Sequence, residues 1–99
     1  MSARTPEPAF DAVVHAPQRL QICAMLERGG EVEFGVLRDG LQVSDATLSK
    51  HLRTLTEAGY VDLRRVQRPR GQARTWVALT PAGSQALRGH FAFLQSIAP

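Results

Sequence analysis

The sequence predicts a mainly helical α+β domain in which a helix-turn-helix pair is followed by a basic two-stranded hairpin and a closing helix. Three observations carry that expectation. A strongly punctuated amphipathic helix runs from about Ser44 to Ala58. Two β-branched and aromatic stretches, Tyr60 to Gln67 and Ala73 to Thr80, flank an arginine-rich turn. Seven of the twelve Lys and Arg residues fall between Ser44 and Arg74, so the positive charge is concentrated on these two elements.

In order along the chain, residues 1–9 hold two of the six prolines and little apolar content, and are expected to form a flexible arm. Residues 10–98 are expected to form one domain, since ninety-nine residues leave no room for a second core. Phe10, Val13 and Val14 suggest a short first helix ending near His15. Pro17 suits the first turn of a second, where its missing N–H costs nothing. Leu20, Ile22, Cys23, Met25 and Leu26 line its inner face, and Gly29-Gly30 stops it. Glu31-Val32-Glu33 is long enough for a small strand. A third helix is expected over Phe34 to Asp39, with Val36 and Leu37 inward and Gly40 ending it.

The fourth helix has the clearest signals. Ser44 can accept from amides two or three residues on, and Asp45 suits the positive end of the helix dipole. Leu48, Leu52 and Leu55 fall at i, i+4 and i+7, a single core stripe. Gly59 is placed for a left-handed stop. After the hairpin, Thr80 caps a final helix that takes Pro81 into its first turn and runs to about Ile97. The plan is that of a winged helix-turn-helix.

Opposite the leucine stripe lie Ala46, Thr47, Lys50, Arg53 and Thr54, with Ser49 and His51 on the flanks. Short side chains there let a backbone approach base edges, and Lys50 or Arg53 can reach guanine acceptors or phosphates. Ser44 and the first-turn amides suit a phosphate, while Asp45 would cap the helix or accept from cytosine. His51 would touch a phosphate or a neighbouring helix. In the hairpin, expected to act over residues 64–74, Arg70 and Gln72 are placed to enter a minor groove, and Arg68 and Arg74 to contact phosphates. Double-stranded DNA is therefore the expected partner. The competing readings are an architectural binder with little sequence preference and a winged helix used for protein interaction, which would be more acidic and apolar.

Four fragments add a resemblance: His15-Ala16-Pro17-Gln18-Arg19-Leu20, Leu48-Ser49-Lys50-His51-Leu52, Glu57-Ala58-Gly59-Tyr60-Val61, and Arg74-Thr75-Trp76 leading to Leu79-Thr80-Pro81-Ala82-Gly83. Together, over about residues 10–97, they resemble the small winged-helix regulators related to the MarR and ArsR families. The resemblance implies a homodimer, a DNA-reading helix over the Ser44–Ala58 stretch and transcriptional control in a prokaryote. ArsR-like metal sensors place a cysteine pair before the reading helix. Phe34 to Asp39 holds neither Cys nor His, which removes the main reason to expect a metal.

Other sites are weaker. Cys23, among apolar neighbours, reads as core packing rather than a thiol switch. It cannot form an internal disulfide, which fits a reducing compartment. No apolar run is long enough to span a membrane, and the Met1 end lacks a secretion-signal layout, so a cytoplasmic location is expected. No phosphate loop, nucleophile–base motif or ligand cluster points to catalysis, a metal or a cofactor. A small-molecule effector finds no support. Leu87, Phe91 and Leu94, with His90, Phe93 and Ile97 beside them, make the last helix too apolar for one small domain. Phe10, Val13 and Val14 match that surface, so a two-fold dimer through the first and last helices is expected. His15 and His90 would then lie near the seam, where they could form an intersubunit metal or pH site. Trp76 reads as a packing residue.

Overall fold

The computed structural model describes residues 6–99, and its elements follow from local signals that the sequence carries plainly. Helix α1 spans Ala12–His15, two residues shorter than expected from Phe10, because Asp11 takes the cap position and accepts from the amides of Val13 and Val14. Helix α2 spans Pro17–Gly29, with the proline in its first turn and Gly30 turning the chain at φ 74°. Strand β1, Glu31–Glu33, leads into α3, Phe34–Leu41.

Two expectations for α3 are corrected. Gly40 lies inside the helix. A Cβ there would come within 2.9 Å of the Met25 Cε of α2, so this glycine permits a close approach rather than a stop. The left-handed residue that ends α3 is Gln42, at φ 57°, after which the Val43 amide donates to the Arg38 carbonyl. Val36 is 55% exposed, and Leu37 alone of the expected pair reaches the core.

Helix α4 spans Asp45–Glu57 and is capped as expected, with Ser44 Oγ accepting from the Thr47 amide at 3.1 Å. Leu48, Leu52 and Leu55 are all buried, each stabilising the fold by about 1.5–3 kcal/mol through apolar burial. Gly59 adopts φ 79°, and the Tyr60 amide donates back to Leu55 O at 2.9 Å, closing the helix end. Strands β2 (Val61–Val66) and β3 (Arg74–Leu79) form the hairpin. The small strand expected at Glu31–Glu33 joins the hairpin in a three-stranded sheet. Its order is β1-β3-β2 and all pairs are antiparallel, because β1 pairs with the free edge of β3.

Helix α5, Pro81–Ile97, is capped by Thr80 Oγ1, which accepts from the Gly83 amide at 3.0 Å. At 1.5 Å per residue its length is about 25 Å. The core joins Val14, Ile22, Cys23, Leu26 and Leu37 to the α4 leucines, Val61, Val77 and Leu87. Of the expected arm, residues 1–5 lie outside the described residues. Residues 6–9 run beside α5, and the Ala9 amide donates to the Gly89 carbonyl at 2.9 Å. Trp76 is not in the core. It is half-buried between Glu33 and Arg64 across the sheet, on the face opposite Val77. No helix among the described residues is long and apolar enough to cross a membrane.

Candidate nucleic-acid interface

The start of α4 is held by its neighbours before any ligand arrives. Ser44 Oγ caps the helix and donates to Thr47 Oγ1 at 3.0 Å, so the Ser44 hydroxyl is committed locally. Asp45 accepts from Arg38 Nη1 at 2.9 Å, while Arg38 Nε donates to Asp39 at 2.9 Å. One arginine of α3 thus ties down the first turn of α4, and its two carboxylate partners raise its own pKa further. Asp45 was expected to cap the helix or to accept from cytosine; the cap is Ser44, and the Asp45 carboxylate instead pairs with Arg38.

Ala46, Ser49, Lys50 and Arg53 are exposed along α4, and Thr47 is half-buried beside them. Lys50 and Arg53 make no ion pair among the described residues. His51 departs from the set expected to meet DNA. It turns back onto α2, with Nε2 2.8 Å from Gln18 Oε1, so Nε2 carries the proton and donates. Its Nδ1 is buried without a partner among the described residues. Burial first, then the charges of Arg19 and Lys50, hold His51 below the ordinary histidine range. A neutral imidazole facing a helix offers nothing to a phosphate.

The hairpin separates its arginines by face. Arg64 makes two hydrogen bonds to the Glu31 carboxylate, at 2.7 and 3.0 Å, and lowers the pKa of that carboxyl. Arg74 Nη1 donates to Glu33 at 2.8 Å. Arg74 was expected at a phosphate, but β1 already supplies it with an anion. Such exposed pairs are worth about 0–1 kcal/mol, so this arginine is neutralised rather than locked. Arg65 stands on the other face, paired across the strands with Thr75. Thr75 lines a groove of about 400 Å³ together with Ser49, Leu52 and Arg53 of α4. Arg65, Arg68 and Arg70 have no ion pair among the described residues.

Arg65 lies within the expected wing, residues 64–74, but was assigned no contact of its own. Alternation along β2 from Leu63 would have found it, since residues two apart share a face. The turn is completed by Gly71 at φ 89°, and Arg70 and Gln72 are exposed. A second cleft, of about 470 Å³, lies between this turn and the starts of α3 and α4, lined by Phe34, Arg38, Asp45, Arg68 and Gln72. The first turn of α4 and the hairpin therefore border one continuous concave side. Arg53 and Arg68 line these clefts, Lys50, Arg65 and Arg70 are exposed on the same two elements, and none of the five makes an ion pair among the described residues, the pattern a polyanion requires.

The match to known proteins agrees with that geometry. Residues 18–98 match the model described as a winged helix DNA-binding domain. The chain belongs to this family. It is a family of DNA-binding regulators and not of enzymes. An uncharacterized protein of Methanocaldococcus jannaschii is 30% identical over 81 residues, 82% of this chain and 83% of its own. The structure of a transcriptional regulator homologue from Pyrococcus horikoshii superposes with a TM-score of 0.80 at 25% identity, covering 86% of this chain and 83% of that one. A zinc-responsive MarR family member, ZitR of Lactococcus lactis, shares the fold with a TM-score of 0.66 at 19% identity, over 87% of this chain and 58% of its own.

The residues expected at a dimer seam divide into two groups. Val14, Leu87 and His90 are enclosed within the single chain, and a side chain already enclosed has no surface to offer a second copy. Phe10 at 51%, Phe91 at 39% and Ile97 at 66% exposure remain outward, with Val13, Phe93 and Leu94 half-buried beside them. His15 and His90 do meet, but within one chain, with Nδ1 of the first 3.0 Å from Nε2 of the second. Among the described residues no group of three or more His, Cys, Asp or Glu side chains is placed to hold a metal.

Proposed function

We propose that this winged-helix protein binds duplex DNA sequence-specifically as a homodimer and regulates transcription, most simply by repressing it. The observation that carries the reading is the sorting of charge. Among the described residues Lys50 and Arg53 of α4 and Arg65, Arg68 and Arg70 of the hairpin make no ion pair, while Arg38, Arg64, Arg74 and Arg88 are matched by carboxylates. In this reading α4 enters the major groove, with Ala46, Thr47, Ser49, Lys50 and Arg53 toward base edges and Ser44 near a phosphate. Arg70 and Gln72 reach the adjacent minor groove, and Arg65 and Arg68 hold its backbone.

The second copy docks through Phe10, Phe91, Phe93, Leu94 and Ile97, with Val13 at the margin. This aromatic strip is what a small domain would cover by self-association. A two-fold axis there presents two reading helices to successive major grooves, so the target is an inverted repeat with half-sites about 10 bp apart. A dimer seated across a promoter excludes polymerase, which is the simplest route to repression.

Selection of duplexes from a random library tests the reading. At fixed physiological salt, the selected site should bind at least about 10³-fold more tightly than random duplex. Near-equal affinities would replace it with architectural binding, which is driven by phosphates alone. Sedimentation showing a monomer at micromolar concentration would remove the dimer.

A further inference from the structure

A chain of polar groups joins α1, α5 and the end of α4, and the DNA-facing side uses none of them. His90 is fully enclosed. Its Nδ1 accepts from the Asp11 amide at 3.0 Å, and its Nε2 lies 3.0 Å from His15 Nδ1. Asp11 Oδ1 accepts from the Val13 and Val14 amides, and Oδ2 accepts from the Tyr60 hydroxyl. Phe10 packs on both imidazoles, with ring centroids at 5.0 and 5.1 Å, and meets Phe93 edge-on at 5.5 Å.

One arrangement of protons satisfies this chain. A backbone amide can only donate, so His90 Nδ1 must be a bare lone pair and the ring proton must sit on Nε2. That proton is donated to His15 Nδ1, which must also be bare, leaving the His15 proton on its own Nε2. A proton added to His90 lands on Nδ1 and faces the Asp11 amide. A proton added to His15 lands on its Nδ1 and faces the His90 Nε2–H. Either one sets two donors against each other at 3.0 Å.

We propose that His15 and His90 form a proton-operated latch: in the neutral state it holds α1 and the segment before it on α5, and one added proton opens it. The groups around the pair act in both directions. Asp11 favours the cation, and its partner Tyr60 is neutral. From α2 come Arg19, whose guanidinium donates to Val13 O at 2.6 Å, and the neutral thiol of Cys23. Glu7 lies on the segment before α1, beside Gly89, and Arg88 of α5 is paired with Glu27. Burial dominates, reinforced by His15, and keeps His90 below the ordinary range against the pull of Asp11. The unfolded chain therefore takes the proton first. The latch contributes fully above about pH 6.5 and is lost as pH falls through the lower folded value.

The latch stands independently of the DNA reading. The test is hydrogen exchange of the Asp11 amide, corrected for the intrinsic rate, in the intact chain at about pH 7.5 and about pH 5, with side-chain nitrogen spectra of both histidines. His90 should hold its proton on Nε2 at the higher pH. Asp11 protection should fall by about tenfold or more at the lower, before the α4 amides lose theirs. In His90→Asn, whose Oδ1 can accept from the Asp11 amide and gains no proton, protection should stay flat. Equal wild-type protection at both pH values would overturn the latch, as would an Nδ1–H tautomer of His90 at the higher pH or the same loss in His90→Asn. If that variant fails to fold, the wild-type tautomer and protection measurements decide alone.

Discussion

Gly83→Ala should destabilise the protein although it places a better helix former inside α5. A Cβ at this position would lie 2.1 Å from the Tyr60 carbonyl oxygen and 2.9 and 3.0 Å from the Tyr60 C and Cα atoms. Relief needs a separation of roughly 1 Å more between α5 and the start of β2. Neither side yields easily. The Tyr60 oxygen accepts from the Thr80 amide at 3.0 Å, and Thr80 Oγ1 donates to Gly59 O at 2.6 Å, so the beginning of α5 is tied to the obstacle. Overpacking costs about 1–3 kcal/mol, and an obstacle made of backbone belongs at the upper end. Alanine offsets about 1 kcal/mol through helix propensity, leaving a loss of about 2 kcal/mol. For a domain of this size each kcal/mol moves the melting point by about 4–8 °C, so a drop of about 8–16 °C is expected. Circular dichroism melting at one fixed protein concentration measures it. Gly35→Ala is the control: its Cβ would meet Glu33 Oε1 and Arg38 Nη2 at 3.4 and 3.6 Å, ordinary contacts, and it should melt at or slightly above wild type. A Gly83→Ala protein melting within a few degrees of wild type would refute the reasoning.

Tyr60→Phe removes the hydroxyl donor to the Asp11 carboxylate and should cost about 1.5 kcal/mol in urea unfolding, the low end for a hydrogen bond to a charged group because Tyr60 is half-buried; an unchanged midpoint would show that this bond does not support α1. Burial pushes the Cys23 thiol up to about 11, and the Asp11 contact pushes the Tyr60 phenol up to about 12. Their unperturbed values are 9.0 and 10.0, so the unfolded chain loses these protons first. Stability should be complete below about pH 9 and fall as pH rises toward 11, with Cys23→Ala flattening the first part of the fall; a flat wild-type profile would contradict this. Arg65→Ala should lower the slope of log affinity against log salt for DNA by about 0.9, while Arg74→Ala, already opposed by Glu33, should lower it less. Equal effects would remove the distinction between the two faces of the hairpin.

What could be read from the sequence was what local chemistry decides. Ser44, the leucine stripe and Gly59 bound α4, while Pro17 and Thr80-Pro81 start α2 and α5, because caps and prolines act within one helical turn. What escaped the sequence depends on pairing across the chain. Glu31 and Glu33 reach Arg64 and Arg74 only because β1 adds to the free edge of β3, which no local signal announces. His51 meets Gln18 through the crossing of α4 on α2, and His15 meets His90 through the packing of α1 on α5. Gly40 misled for a related reason. A glycine that allows Met25 of another helix to approach looks, in sequence, like a helix stop.

If α4 and the hairpin together grip DNA, the salt dependence of binding must reflect both. Affinity for a library-selected duplex should be measured by fluorescence anisotropy across a salt series for wild type, Lys50→Ala and Arg70→Ala. Both variants should bind more weakly at any fixed salt. The salt slope should be smaller by about 0.9 for each phosphate contact removed, and discrimination against random duplex should fall where Lys50 or Arg70 reaches a base edge. Wild-type affinity and slope in both variants would contradict that grip.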